Sequence, residues 1–314
     1  MKRVLYLILF VLFGFAATVE RSIAQRIELK KIRLNVFRID AATVAARVNG
    51  YFAAEGLDVD VTLTPNSTEQ MRGLSQGKFE VVSTAFDNVL AWSGREGAEI
   101  IAVAQISDKT VLPVFVRPEI KTWSDLKGKK LAADAVDTAF ALVLRRVLLA
   151  NGLDMTKGDY ELVALGATGA RLESMLKGET FAGVLTSPFD VKAVAAGMRR
   201  IGDSKEVLPD YPNTIFAVNR EWAQKNRDTL VAYLRGCLKG MSWVKDPANR
   251  DAAIKMVGEQ LKLNPKQAEE SVNELSTTGN LNLPGLQVVL DLRNQFGFKL
   301  NKGDKLPVYY DPAY

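Results

Sequence analysis

Within residues 32–63 the apolar positions change period twice, and that change dictates how the chain must connect. Ile32, Leu34 and Val36 alternate with Arg33 and Asn35, the pattern of a half-buried strand. Val44, Ala45, Val48 and Phe52 follow in a helical pattern, and Gly56 supplies the stop, because glycine accepts the left-handed backbone that ends many helices. Leu57, Val59, Val61 and Leu63 then alternate again. Strand, helix and strand in succession predict a βαβ unit, whose strands lie parallel because a crossover joins them. In open parallel sheets ligands sit beyond the carboxyl ends of the strands. Residues 38–43 form such an end.

The same switch recurs along the chain. After Leu63 a polar stretch, 64–69, leads into a helix bearing Met71 and Leu74, with Ser67 or Thr68 as its cap and Gly77 as its stop. Strands are predicted at 79–83, 100–104, 111–116, 131–133, 160–165, 181–185 and 214–218. Helices are predicted at 89–92, through Leu142, Leu144, Val147 and Leu148 as far as Asn151-Gly152, and from 166–171 onward. Asn219 is placed to cap the helix after the last strand. Apolar residues at 230, 234, 237, 238, 241 and 244 make a helical stripe over 228–244, and further helices are expected at 248–261, 265–275 and 285–296. The charged runs 127–130 and Arg199-Arg200 read as solvated faces.

Composition narrows the chemistry. The 314 residues contain no histidine, which removes Ser/His and Cys/His catalysis and the usual imidazole metal ligands. The chain is therefore biased towards binding, with no cofactor, metal or catalytic residue expected. Its length suits two domains. A net charge of +5, without a basic run interleaved with aromatics, gives no sign of a nucleic-acid partner. Cys237 is the one cysteine, so no intrachain disulfide forms, and its place in the apolar stripe suits a small core residue. Lys2 and Arg3 precede an apolar run at 4–17, too short to span a bilayer comfortably and of the length of a signal h-region. Ser22 and Ala24 are the small residues for cleavage before Gln25; a cut near Ala16-Ala17 and an uncleaved membrane anchor are the alternatives. No cysteine near the end of the run offers a lipid anchor. The expectation is a signal peptide at 1–24 and a soluble periplasmic protein.

Asn49-Gly50-Tyr51-Phe52-Ala53-Ala54-Glu55-Gly56-Leu57-Asp58-Val59 resembles a signature of the periplasmic substrate-binding proteins of ABC importers, the group that includes nitrate, sulfonate, taurine and thiamine-precursor binders. Ile120 and Asp125-Leu126-Lys127-Gly128-Lys129 are similar to that family's entry into its second domain. The stretch 166–189, GATGARLESMLKGETFAGVLTSPF, and the tail Tyr309-Tyr310-Asp311 also match, in the right order. The resemblance implies an α/β, two-lobed periplasmic-binding-protein fold of type II, with two parallel or mixed sheets, helices on both faces and a hinge. Lobe I would comprise 25–116 and 214–314, lobe II 117–213, and the chain would cross near 116 and 213. A ligand would lie between the lobes, and closure would be a hinge motion read by the importer's permease domains in the membrane. A monomer is expected.

The candidate ligand residues come from strand ends. Lobe I offers Arg38, Asp40, Ser67, Thr68, Thr84 and Phe86. Lobe II offers Asp137, Thr138, Phe140, Thr168, Arg171, Thr186, Ser187 and Phe189, and the hinge offers Tyr211 and Asn213. Each has a plainer reading. Asp40, Ser67, Asp137 and Thr168 suit helix caps, the phenylalanines suit the core, and Arg38 suits an exposed ion pair. Arg171, inside its helix, reads as solvated. An anionic ligand is expected, because Arg38 stands between a strand end and a helix N-terminus, where unpaired N–H groups favour negative charge and a guanidinium fits a carboxylate or sulfonate. Asp40, Asp87 and Asp137 weigh the other way. Two further functions share the fold: an enzyme of the thiamine-pyrimidine synthase type, and a subunit that presents ligand to a membrane sensor. The first resemblance would imply a pyridoxal phosphate lysine, an active-site histidine and a cysteine-rich iron motif. This chain has no histidine and one cysteine.

Overall fold

The computed structural model of the chain describes residues 28–137 and 139–314. The expected leader at 1–24 and the candidate Thr138 lie outside the described residues. The elements run β1 (Lys30–Val36), α1 (Ala41–Val48), α2 (Tyr51–Ala54), β2 (Leu57–Leu63), α3 (Ser67–Ser75), β3 (Val81–Ala85), α4 (Phe86–Trp92), β4 (Ile100–Gln105), β5 (Pro113–Val116) and β6 (Lys129–Ala133). They continue with α5 (Ala139–Ala150), β7 (Tyr160–Ala164), α6 (Thr168–Lys177), β8 (Ala182–Val184), α7 (Phe189–Ala195), β9 (Arg199–Asp203) and β10 (Thr214–Asn219). Helices α8 (Arg220–Lys225), α9 (Arg227–Lys245), α10 (Arg250–Leu261), α11 (Pro265–Asn273) and α12 (Leu283–Gln295) complete the chain.

Residues 31–314 are one unit of contiguous contacts built around two sheets. The first has the order β2-β1-β3-β10-β4 and the second β7-β6-β8-β5-β9. In the first, β1 and β3 are parallel, with Leu34 opposite Val81, and β10 runs antiparallel between β3 and β4. Ile215, Phe216, Ala217 and Val218 of β10 are all buried, as a strand covered on both faces requires. In the second, β6 is parallel to β7 and β8, and β5 is antiparallel to β8 and β9. These are the two mixed sheets of the two-lobed fold, and β10 lies within the first of them.

Strand β5 corrects the expected boundary. It pairs with β8 and β9, so the chain leaves the first sheet between Gln105 and Pro113 rather than near 116. It returns between Asp203 and Thr214. The stretch 199–203, read as solvated at its start, is the edge strand β9. Its sequence, RRIGD, carries no apolar alternation, and pairing with β5 alone holds it in the sheet. Helix α3 is capped by Asn66, whose side chain accepts from the Glu69 N–H at 2.8 Å, rather than by Ser67 or Thr68. Asn219 caps α8 as expected.

Helix α9 carries the predicted stripe, with Leu230, Leu234, Cys237, Met241 and Val244 buried and Leu238 exposed. It lies close against the alanine-rich face of α1. A Cβ at Gly240 would stand 2.3 Å from the Ala42 carbonyl oxygen, so only glycine permits this approach. Burial pushes the Cys237 thiol well above its ordinary pKa. The thiolate, which is the nucleophile, is therefore scarce at pH 8. Cys237 should react with a thiol-specific disulfide reagent only as the protein unfolds in denaturant; rapid stoichiometric reaction of the native protein would contradict its burial.

One apolar core joins both lobes. Val89 and Leu90 of α4, Leu142 and Val143 of α5, Leu286 and Leu290 of α12, and Leu112, Leu208 and Tyr211 of the crossings belong to the same cluster. Helix α12 thus reinforces the crossings without covalent connection.

Candidate ligand-binding cleft

The carboxyl ends of β2 and β3 meet those of β6 and β7 across a seam between the lobes. The Ala167 N–H donates to the Pro65 carbonyl at 3.1 Å, and the Ser67 hydroxyl donates to Asp134 at 3.3 Å. Asp87, at the start of α4, accepts from the Ala139 N–H at 2.5 Å, which opens α5 of the other lobe. Arg293 of α12 donates to both Asp87 oxygens at 3.1 and 3.2 Å and to the Asp137 carbonyl at 2.8 Å. Asp87 and Arg293 are each 1 % exposed, and their charges match.

Arg171 lies at the centre of the second lobe's side of this seam, not in solvent as the sequence suggested. It is 2 % exposed. Its Nη2 donates to the Thr168 hydroxyl at 2.6 Å, its Nη1 stands 4.0 Å from the Asp134 carboxylate, and its guanidinium carbon lies 5.5 Å from the centre of the Phe140 ring. Nε and Nη1 make no hydrogen bond. Helical side chains lean towards the helix N-terminus. An arginine three residues after Thr168, the first residue of α6, therefore reaches back to the strand end. That offset is the sequence signal that identifies it. Burial pulls the Arg171 pKa down while Asp134 raises it; the guanidinium remains charged.

The structure brings several of the expected residues to this seam. Ser67, Phe140 and Thr168 surround Asp134 and Arg171. Phe189 packs beside them on Gly169, where a Cβ would come within 3.1 Å of its ring. Ser187 is half-buried at the end of β8 and joined to Pro188 by a cis peptide bond. Asp137 is half-buried and 3.7 Å from Arg95.

Other expected residues have different occupations. The Arg38 side chain is 42 % exposed and ion-paired with Glu274 of its own lobe, because the strand end there faces the loop after α11. Asp40 caps α1, accepting from the Thr43 N–H and hydroxyl at 2.8 Å each. Phe86 is 1 % exposed and belongs to the core, as does Tyr211. Thr84 is buried and accepts from Asn88 at 2.8 Å. Thr68 is exposed on α3, and Asn213 is half-buried in the return crossing, its N–H donating to the Asp108 carbonyl at 3.2 Å. Asp40, Asp87 and Asp137, the acids that weighed against an anion, thus all have intramolecular partners.

Two mixed sheets, two crossings and a polar seam at the strand ends define the two-lobed fold of periplasmic binding proteins. The model of the NMT1/THI5-like family matches residues 40–250, and the chain belongs to this family. YtlA of Bacillus subtilis, to which a binding role is ascribed, is 22 % identical over 272 residues, covering 84 % of this chain and 79 % of its own. The formylaminopyrimidine-binding protein of Halalkalibacterium halodurans is 24 % identical over 217 residues, covering 67 % of this chain and 63 % of its own. In fold, the chain is similar to the alkanesulfonate-binding protein SsuA of Xanthomonas axonopodis pv. citri, with a TM-score of 0.73 and 17 % identity over 91 % of this chain and 99 % of that one. Among the described residues no helix is long and apolar enough to cross a membrane.

Proposed function

We propose that this protein is the solute-binding component of an ABC importer, exported to the periplasm, and that it captures a small organic anion between its lobes. Arg171 takes the carboxylate or sulfonate of the ligand, and Phe140 and Phe189 flank its apolar or planar remainder. The observation that carries this reading is the buried Arg171 guanidinium at the interlobe seam, whose Nε and Nη1 make no hydrogen bond, with Asp134 4.0 Å from Nη1 as its ion-pair partner. A buried charge is costly unless its donors are satisfied, and a two-pronged anion supplies what these donors lack. The nearby Asp134 favours a second reading, a neutral heterocycle such as a substituted pyrimidine, which would use both a donor and an acceptor. An enzymatic role of the synthase type finds no histidine in this chain to serve it.

The test is a screen of alkanesulfonates, aromatic carboxylates and formylated aminopyrimidines by thermal shift, followed by small-angle scattering. A true ligand at a hundredfold its Kd should add about 2.7 kcal/mol of stability. It should also reduce the radius of gyration as the lobes close. A tight ligand that leaves both quantities unchanged would count against a closing cleft. Preference for the pyrimidines over every anion would select the second reading.

A further inference from the structure

Arg145 is a third buried arginine, away from the cleft. It lies on α5 and is 8 % exposed. Its guanidinium carbon is 4.1 Å from the centre of the Phe296 ring and 5.5 Å from that of Phe298. The Tyr160 phenol lies close enough to feel its charge, and both line the same pocket, while its buried Nε has no hydrogen-bond partner. Among the described residues Arg145 makes no ion pair within 4.0 Å, but the Asp154 carboxylate lines the same pocket, feels the Arg145 charge, and is engaged at one oxygen by the Thr156 N–H and hydroxyl at 2.9 and 2.7 Å. Arg145 lines a solvent-open pocket of about 200 Å³ with Asp154, Thr156 and Tyr160 of the second lobe and with Gln295 and Phe296 at the end of α12; the Asp154 carboxylate, committed to Thr156, is the one acid in the lining. Tyr160 begins β7, so the pocket is at the opposite end of that strand from the cleft.

Stacking on an aromatic face offsets part of the cost of burying a guanidinium, but it leaves the in-plane N–H groups unused. Those groups prefer an oxyanion. The Tyr160 phenol is pushed up to about 12 by burial, so it stays a neutral hydroxyl across the physiological range. Thr156 and the Gln295 amide add neutral polar groups at the rim. The volume is below the range of ordinary organic-ligand pockets and suits a small ion.

We propose that this pocket is a second binding site, for a small oxyanion of the carboxylate, sulfate or phosphate class, anchored by Arg145 and assisted by Tyr160. Because its walls come from α5 of one lobe and from the C-terminal end of α12 of the other, an ion bound there ties the lobes together on the side away from the cleft.

The test titrates the full chain with inorganic phosphate, sulfate and acetate at constant ionic strength, with chloride as the reference, following the melting temperature and the heat of binding. Wild type should show a saturable response to at least one oxyanion with a midpoint in the millimolar range or below. Arg171→Met, which removes the cleft's cation, should leave it in place. In that background Arg145→Met, which keeps a long apolar stem against Phe296, should abolish it, and Tyr160→Phe should weaken it at least threefold. No response beyond chloride in wild type overturns the proposal. So does a response that survives Arg145→Met in the Arg171→Met background, or one lost with Arg171→Met alone. Should Arg145→Met fail to fold, an unchanged midpoint in Tyr160→Phe overturns it equally.

Discussion

Replacing Arg171 by methionine is expected to weaken capture of the cleft ligand by roughly 1.5–3 kcal/mol, the range for hydrogen bonds to a charged group, or about ten- to more than a hundredfold in Kd. Methionine keeps an unbranched stem against Phe140 and removes only the fork of donors. The vacated polar neighbours are few: the Thr168 hydroxyl loses one donor at 2.6 Å. Asp134 keeps its bond from Ser67, and burial, which already pushes its pKa up, lets it protonate once the arginine is gone. The unliganded fold should therefore change little compared with the loss of binding. Arg38→Ala is the control. That side chain is largely in solvent and paired with Glu274, and exposed pairs are worth roughly 0–1 kcal/mol, so its removal should scarcely alter affinity. Calorimetry on wild type and both variants, with whichever compound the screen identifies, separates the two arginines. Undiminished affinity in Arg171→Met, or a greater loss in Arg38→Ala, would remove Arg171 from the site.

The larger effect on stability belongs to Arg293. Arg293→Met strands the Asp87 carboxylate, which is 1 % exposed, with only the Ala139 N–H as an established partner. Breaking a buried pair on one side costs roughly 3–5 kcal/mol. The double variant Asp87→Leu with Arg293→Met removes both charges, and such replacements are often neutral. Here recovery should be incomplete, because the Ala139 N–H and the Asp137 carbonyl each lose a partner, at roughly 1–3 kcal/mol for a group left unsatisfied. Urea unfolding of the three variants should rank wild type above the double variant and the double variant above Arg293→Met. A double variant no better than the single would show that the backbone groups, and not the charge, carry the energy.

The contrast between these arginines separates what could be read in the chain from what could not. Arg38 was conspicuous in the sequence because an alternating strand ends just before it, yet Glu274, 236 positions away, claims it. Arg171 looked like a helical surface residue until Asp134, 37 positions before it, and the Phe140 ring were folded against its guanidinium. Asp87 counted as an unpaired acid until Arg293, 206 positions on, reached it. Phe86 stood at a strand end and still went to the core, since α4 begins with it and lies against α12. Strand β5 was predicted as a strand and misplaced in its sheet, because alternation identifies an element and says nothing of its neighbours.

The sequence by itself determined the succession of strands and helices, the caps and glycine stops that end them, the buried stripe of α9 and the family. These follow from periodicity and backbone chemistry that act over about a dozen residues. Only the tertiary structure decided which charges are buried, which are neutralised and where the chain crosses between lobes. The physical reason is that a charge's fate depends on the partner and the solvent exclusion it meets, and across the seam the partners come from residues 52 to 206 positions away, far beyond the reach of local periodicity.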